Sequence, residues 1–355
     1  MSRGFSLLST SLNDNLSSVA PATSRWASWQ RALEVGVSLG FLILALRGIR
    51  LGDLWAALRQ ANYLWLAPAV GVMAALLAMK AWRWQLLFYP EHRLPFGSVF
   101  TALCAGYLAS NVLPARLGEV VRLVLLVSEQ PVSVARTFST IVVERLLDVL
   151  TLLVILVLLL PFVQLPPAMT RTAQILGLMA LAGAAAMIVL SFWKTRLLRW
   201  AHALLGRVKV LDRPATYEAI GHLIDGFATL RGRLGLGLIG VSLLGWAGVI
   251  AFAWFAAQAF RLDAPVTAII FAVVVTTLGM LVPSSPGYIG VFHYLVTVAM
   301  APFGVPKDLA LGYALVWHGV NYLTLSGSGV IALWVHGTSL GQVLRRWRER
   351  DRVTR

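Results

Sequence analysis

The chain of 355 residues has a single cysteine, Cys104, so it forms no intramolecular disulfide. It also lacks the CxxC and HExxH spacings of metal sites and the GxxxxGK(S/T) loop that cradles nucleotide phosphates. We therefore expect no metal, nucleotide or other cofactor. Cys104 is interpreted as a small buried apolar residue, which is the usual state of a free cysteine.

Charged residues are also scarce, at 13% of the chain against about 25% in ordinary soluble domains. Hydrophobic residues reach 58%, and the mean hydropathy is +0.77. A chain of this composition has too few polar groups to cover its apolar surface in water, so lipid must be its solvent. The composition excludes the two soluble domains that the length alone suggests. It predicts an all-α integral membrane protein.

Acidic residues are only half as frequent as basic ones, with 15 Asp and Glu against 30 Lys and Arg, a net charge of +15. The basic residues collect between apolar runs, a pattern that orients multi-span proteins. Nucleic-acid binding is therefore disfavoured, and attraction to anionic lipid headgroups is expected. The basic loop 193–233 and the tail 337–355 are predicted to be cytoplasmic. This places both termini on the cytoplasmic side of the plasma (inner) membrane.

Six apolar segments are predicted to span the membrane as helices. They are residues 32–46, 63–80, 137–160, 172–192, 234–260 and 309–336. Residues 1–31 are interpreted as a disordered tail, and 214–232 as an amphipathic helix of the basic loop. The loop 47–62 is interpreted as an interfacial helix with Asp53 as its N-cap. Trp82 and Trp84 are predicted to anchor the membrane interface.

Two further apolar stretches, 97–127 and 266–303, are interrupted by proline and glycine. The interruptions contain Pro114, Gly118, Pro283, Pro286 and Gly287. Proline lacks the backbone N–H and clashes with the preceding turn, so each helix should break there. The arms on either side are about 15–17 residues long, which is marginal for a full span. Both stretches are therefore predicted to be re-entrant hairpins.

The two membrane halves, 32–192 and 234–336, have the same order of features. In each, a span precedes a broken hairpin and a second span follows it, and the glycine follows the proline of the break at the same spacing. The loop charges give the halves opposite orientations. Inverted repeats with paired broken helices are typical of carriers that bind substrate at the repeat interface. Chance is the alternative, because proline and glycine are common in membrane helices.

Six charged residues are predicted inside the membrane, and they are Arg116, Glu119, Arg122, Glu144, Arg145 and Asp148. Each would cost about 2.5–3.5 kcal/mol if it were deep and unpaired, so they must pair or face water. Three acids and three arginines allow a neutral network. Glu144 and Asp148 share a helix face, and Arg145 is expected to reach Glu119 or a lipid phosphate. The network either locks hairpin to helix or lines a substrate pathway.

The second half carries a neutral polar stripe, formed by His318, Asn321, Thr324 and Ser328 at helical spacing. Tyr288 and His293 follow the second break. The neutral candidates for the substrate pathway are Asn111, Tyr288, His293, His318 and Asn321. A hydrogen-bonded structural role and a proton-coupling role are both compatible with His318.

Two motifs of this sequence resemble the transmembrane region of lysylphosphatidylglycerol synthases and their stand-alone relatives. They are NVLPARLGEVVR at 111–122 and VERLLD at 143–148. The later PGYIGVF at 286–292 is similar to a second signature of that family, in which an acid usually follows the phenylalanine. His293 occupies that position here, which puts any role of the acid in doubt. The resemblance covers residues 35–336.

The resemblance implies a flippase-like integral membrane domain. In the synthases this domain is thought to move aminoacylated phosphatidylglycerol between leaflets, while a separate soluble domain makes it. This chain ends at Arg355, so we expect neither that domain nor aminoacyl transfer. Other relatives are associated with hopanoids and with polyprenyl- or dolichol-linked glycans. The resemblance therefore does not identify the lipid on which this protein acts.

Three classes of function are compatible with these patterns. The leading one is a lipid translocator in which Arg116, Arg122 and Arg145 attract a phosphate headgroup. The second is a non-transporting scaffold for envelope-lipid enzymes. The third is a polyprenyl-phosphate-dependent glycosyltransferase, for which Asp53 is the candidate base. The expected partners are membrane lipids and an enzyme that makes lipids or glycans, and the protein itself is expected not to be an enzyme.

Overall fold

The computed structural model describes residues 25–113, 117–164, 232–280, 286–343 and 345, together with isolated residues between 167 and 221. This part of the chain is all-helical, as the composition predicts. Its α-helices are α1 Arg25–Leu46, α2 Leu51–Gln60, α3 Leu66–Leu86, α4 Phe96–Val112, α5 Gly118–Glu129, α6 Val134–Leu159, α7 Gly232–Ala259, α8 Val266–Gly279, α9 Val291–Met300 and α10 Lys307–Val335. Short 3-10 helices connect several of them.

The first two helices differ in their start from the prediction. The helix α1 begins at Arg25, earlier than the predicted residue 32, and residues 1–24 lie outside the described part. The helix α2 has Arg50 as its N-cap, so the prediction that Asp53 caps it is wrong. The helix begins at Leu51, before Asp53, and its Leu54 packs with Ala45 and Leu311. Asp53 therefore lies in the first turn, where its negative charge interacts favourably with the positive end of the helix dipole.

Four long helices coincide with predicted spans. They are α3, α6, α7 and α10. In the described part of the chain, two helical segments, Tyr63–Leu86 and Arg233–Ala259, are long and apolar enough to cross a membrane by length and composition. The predicted span 172–192 and the amphipathic helix 214–232 lie almost entirely outside the described residues.

Both interrupted stretches break where proline and glycine predict it. The helix α4 ends at Val112 and α5 begins at Gly118, while α8 ends at Gly279 and α9 begins at Val291. The four arms have 17, 12, 14 and 10 residues. At 1.5 Å per residue they are about 15–26 Å long, shorter than a bilayer core of about 30 Å.

In both cases the two arms fold back on each other as an antiparallel hairpin. At the open end of the first hairpin, Gln130 donates a hydrogen bond to Ser98 at 2.9 Å. Near the break, Gly118 lies against Ser110 and Gly106 so closely that a Cβ atom would overlap both. In the second hairpin, Gly279 lies against Leu295 in the same way. Because glycine has no side chain, the two arms of each hairpin come into direct contact at these positions.

The first spans of the two halves, α3 and α7, also run antiparallel. At one end the Asn62 N–H, just before α3, donates to the Ala259 carbonyl at 2.7 Å. Further along the pair, a Cβ on Gly248 would meet Leu76, and near the other end Arg83 reaches Ser242. The glycines at 235, 237 and 240 match a GxGxxG spacing, but they lie within the helix α7. Dinucleotides require that spacing in a strand-to-helix turn.

Helix contacts within and between the halves correspond in pairs. The helix α4 packs against α10, and α8 packs against α6; the hairpin pairs α4–α5 and α8–α9 match, as do α5–α6 and α9–α10. The pairs α3–α4 and α7–α8 correspond as well. The helix α6 supplies Leu147 to one hydrophobic core and Leu152 to the other. Its charged residues therefore lie at the border between two cores.

The close approach at Gly118 makes a prediction for the first hairpin. We expect Gly118→Ala to lower the free energy of unfolding by about 1–3 kcal/mol, because the new methyl group overlaps Ser110 and the Gly106 carbonyl. Gly97→Ala is the control in α4, since a Cβ there meets no atom within 4 Å. Thermal unfolding of the purified protein in detergent measures both. Equal stability of the two variants would contradict the close contact.

Candidate functional site

Three helices bring charged side chains together in the interior of the bundle, and a fourth adds a serine hydroxyl. Arg83 of α3, Arg122 of α5, and Glu144 and Asp148 of α6 are 4%, 3%, 1% and 8% exposed. The Glu144 carboxylate accepts hydrogen bonds from both arginines, at 3.3 Å from Arg83 Nη2 and 2.5 Å from Arg122 Nη2. Arg83 Nη1 donates to Asp148 at 2.7 Å and to the Ser242 hydroxyl of α7 at 3.1 Å. We call these five residues the ion network.

A second ion pair extends the network toward the surface. Arg145 pairs with Glu119, as predicted, and Glu119 also lies 3.7 Å from Arg122. The side chains of Arg145 and Glu119 are 51% and 33% exposed, so water or headgroups reach them. This enlarged cluster has three arginines and three acids and is neutral as a whole. Arg83 was not among its predicted members, and the predicted member Arg116 lies outside the described residues.

Trp84 fixes the orientation of Arg122. The guanidinium carbon of Arg122 lies 3.6 Å from the centre of the Trp84 ring, and the indole N–H donates to Thr140 at 3.0 Å. A guanidinium over an indole face contributes about 0.5–2 kcal/mol. Trp84 is fully buried, so the prediction that it anchors the membrane interface is wrong. The sequence shows the tryptophan near the end of a span but not the helix face on which it lies.

The polar stripe of α6 is satisfied within its own helix. Glu144 and Asp148 share a face because they are four residues apart. The hydroxyl groups of Thr137, Thr140 and Thr151 donate to the carbonyls of Ser133, Thr137 and Leu147. Such bonds make threonine tolerable in an apolar helix. The carboxylates are therefore the acceptors on this face that remain for the arginines.

The two central arginines are not fully satisfied. The Nε groups of Arg83 and Arg122 are buried and have no hydrogen-bond partner among the described residues. A buried unsatisfied donor costs about 1–3 kcal/mol. The network therefore contains two buried donors that have no partner among the described residues.

The two hairpin tips meet against α10. The Asn111 amide, at the end of α4, donates to Ser326 at 2.9 Å, and the Tyr322 hydroxyl donates to the Asn111 carbonyl at 3.3 Å. Gly287, in the second break, has φ of 71° and packs on Tyr322 and on the Asn111 carbonyl. We call this contact the tip junction.

A pair of histidines holds the second hairpin to α10. The Gly290 N–H donates to His293 Nδ1 at 3.2 Å, and His293 Nε2 lies 3.4 Å from His318 Nδ1. Because Nδ1 of His293 accepts, its Nε2 carries the proton that is donated to His318 when the ring is neutral. His293 thus forms one half of a capping-box arrangement: its side chain, at position N3, accepts from the backbone N–H of the N-cap Gly290, and an acid is common at this position. The neutral ring nitrogen of His293 can accept this hydrogen bond as a carboxylate would.

The remaining predicted residues are dispersed. Tyr288 lies half-buried after the second break with φ of 55°, and Asn321 lies half-buried on α10. Pro286 begins a 3-10 helix. Arg116, Pro114 and Pro283 lie outside the described residues.

Sequence reasoning missed Arg83 and Ser242. Apolar character fades after residue 80, so the predicted span ends there, whereas α3 continues to Leu86 and carries Arg83 into the interior. An arginine between two tryptophans was the available sign of a helix that continues. Ser242 gave no such sign, because a single serine in an apolar helix is common.

The ion pairs of Arg122 and Arg145 differ in burial, so we expect them to contribute differently to stability. Removing one partner of a buried ion pair costs about 3–5 kcal/mol, whereas an exposed pair contributes about 0–1 kcal/mol. We therefore expect Arg122→Gln to destabilise the protein strongly and Arg145→Gln to have little effect. Unfolding free energies in mixed micelles test this difference. Similar losses for both variants would show that Arg122 is not the buried partner.

The cap formed by His293 gives a further prediction. His293→Gln keeps an acceptor for the Gly290 N–H, whereas His293→Leu removes it. We expect the leucine variant to be less stable than the glutamine variant by about 1 kcal/mol, the usual effect of a lost cap. Thermal unfolding of the two variants side by side measures the difference. A leucine variant of equal stability would contradict the capping role.

Comparison with known families gives one match. The sequence model of a family described as "Lysylphosphatidylglycerol synthase TM region" matches residues 31–329. No curated protein matches the chain, and no solved structure matches it.

Proposed function

We propose, from the premise that the chain belongs to the lysylphosphatidylglycerol synthase TM region family, that it moves a lipid between the two leaflets of its membrane. The family is one of membrane proteins in lipid metabolism or translocation. The lipid is anionic or polyprenyl-linked, and the protein acts as a translocator rather than as an enzyme. The plasma (inner) membrane, with both termini cytoplasmic, is the proposed location.

The observation that carries this proposal is the ion network at the junction of the two halves. Arg83 joins α6 of the first half to Ser242 of the second half. A well-packed apolar cluster of the same volume is often as stable as a buried ion pair or more so. Charged residues deep in a membrane protein therefore suggest a pathway, with the network as its gate.

The arrangement of the halves supports an inverted repeat. The antiparallel pair α3–α7 and the matching helix contacts are what two units of opposite orientation would produce. Short antiparallel hairpins would then enter from opposite sides as re-entrant elements, and the tip junction would lie near the membrane midplane. In this proposal, rocking one half against the other exposes the site alternately to each leaflet.

The chemistry of the site suits a phosphate group. A guanidinium presents a planar fork of donors that matches phosphate oxygens. When the site is empty, the carboxylates of Glu144 and Asp148 balance the positive charges of Arg83 and Arg122. An arriving phosphate would take over part of this pairing and use the free Nε donors. Exchange of one anion for another would keep the cost of burying charge low in both states.

Lipid exchange by purified protein in liposomes tests the proposal. We expect Glu144→Gln to slow exchange about tenfold or more, because it weakens two charge-assisted hydrogen bonds to arginine, and tenfold corresponds to about 1.4 kcal/mol. Fluorescent phosphatidylglycerol, its lysyl derivative and a polyprenyl phosphate are the probes. Leaflet exchange is followed by quenching from outside.

A matched control separates the pathway from general loss of charge. Glu91→Gln makes the same change at a side chain that is 54% exposed and pairs with Arg136 outside the network. Folding of each variant is checked by its unfolding transition. Wild-type exchange in a folded Glu144→Gln variant would disprove the pathway role. Exchange of no lipid by the folded native protein would favour the scaffold function instead.

A further inference from the structure

A narrow cleft opens beside the ion network, between α3, α6 and α7. Its enclosed part has a volume of only about 10 Å³, and the rest of the opening is continuous with the surroundings of the protein. Four polar side chains form one part of the wall: Lys80, Arg83, Asp148 and Ser242. The rest is apolar and includes Met79, Trp246 and Val249. One side of the cleft is therefore charged, and the other sides are apolar.

The cleft carries one uncompensated positive charge. Arg83 and Asp148 pair with each other at 2.7 Å. Lys80 is half-buried, lies one helical turn before Arg83, and forms no ion pair with any described residue. Its ammonium group lies 5.9 Å from the centre of the Trp246 ring. The buried Arg83 Nε is also without a partner among the described residues. Of these two groups, the half-buried Lys80 ammonium is the one that an anion in the cleft can reach.

The surroundings of the cleft favour a lipid over a soluble ion. Leu243 and Leu244 follow Ser242 in α7, and Trp82 lies two residues after Lys80 in α3. None of the three lines the cleft, but they are 46%, 62% and 46% exposed, so both helices present apolar side chains outside the bundle. In a membrane these side chains contact acyl chains. Gly245 lines the cleft, and a Cβ there would make only ordinary contact with Met79 at 3.6 Å. An occupant that reaches this opening from the side carries apolar chains with it.

We propose that this cleft is the subsite that receives the phosphate of an anionic phospholipid, with Lys80 as the contacting cation and Trp246 as the wall against the glycerol and upper acyl chains. The inference rests on the proposed function, because it assigns an entry point to the lipid that the network would pass. Asp148 stays paired with Arg83, so Lys80 supplies the attraction.

Binding of fluorescent phosphatidylglycerol to the purified full chain in detergent tests this subsite. We expect Lys80→Gln to weaken binding about tenfold, the effect of losing one charge-assisted contact, and Lys80→Arg to restore it. Gly245→Leu should weaken binding as well, because its side chain fills the cleft while all charges remain. Phosphatidylcholine, inorganic phosphate and glycerol 1-phosphate serve as competitors.

Two matched variants control for charge and bulk. Arg93→Gln removes one positive charge at an exposed position outside the cleft. Gly240→Leu adds the same side chain to α7 where a Cβ meets no atom within 4 Å. Both should bind phosphatidylglycerol like the native protein. Binding by Lys80→Gln and Gly245→Leu equal to that of these controls would overturn the subsite.

The competitors decide the chemistry of the occupant. Displacement only by anionic lipid supports the proposal. Displacement by inorganic phosphate at equal concentration would overturn the lipid assignment and leave a small-anion site. Binding that depends on Lys80, in a protein that exchanges no lipid in liposomes, would support the subsite and reject translocation. If the protein exchanges lipid but Lys80→Gln and Gly245→Leu bind phosphatidylglycerol as the native protein does, the subsite is rejected and the proposed translocation is not.

Discussion

The carboxylate of Glu144 lies between two buried guanidinium groups, and the arrangement of four helices depends on this contact. Each arginine comes from a different helix, and one of them also reaches Ser242 in the second half. No member of the network can leave without exposing a buried charge on its neighbour, which costs several kcal/mol. The helices α3, α5 and α6 are therefore fixed in register by electrostatics, while apolar packing on either side sets their spacing.

This constraint explains the placement of the surrounding residues. Trp84 lies fully buried against Arg122, and its flat ring packs on the guanidinium while the two Nη groups point to Glu119 and Glu144. The threonines of α6 satisfy themselves within the helix, so they do not compete for the carboxylates. In the second half a neutral histidine pair takes the corresponding position between the hairpin and α10. The halves share helix packing but not charge.

The sequence predicts those features that depend on local chemistry. Proline and glycine end helices by their own geometry, so both breaks were predictable, and so was the pairing of Arg145 with Glu119. The N-terminus of α2, the role of Trp84 and the inclusion of Arg83 depend on contacts between distant segments. Hydropathy falls off before a helix ends when its last turns are buried among charged partners. That effect removed Arg83 from the predicted interior.

The glycine contacts inside each hairpin have a mechanical consequence. Two helices in contact at Gly118 or Gly279 cannot slide or separate without breaking close packing, so each hairpin is a stiff unit. Pro95, Pro265 and Pro306 stand at the N-caps of α4, α8 and α10, and their fixed φ restricts the direction in which each of these helices leaves its connection. Among the described residues, a displacement of either hairpin would therefore carry both of its arms together rather than spread them apart.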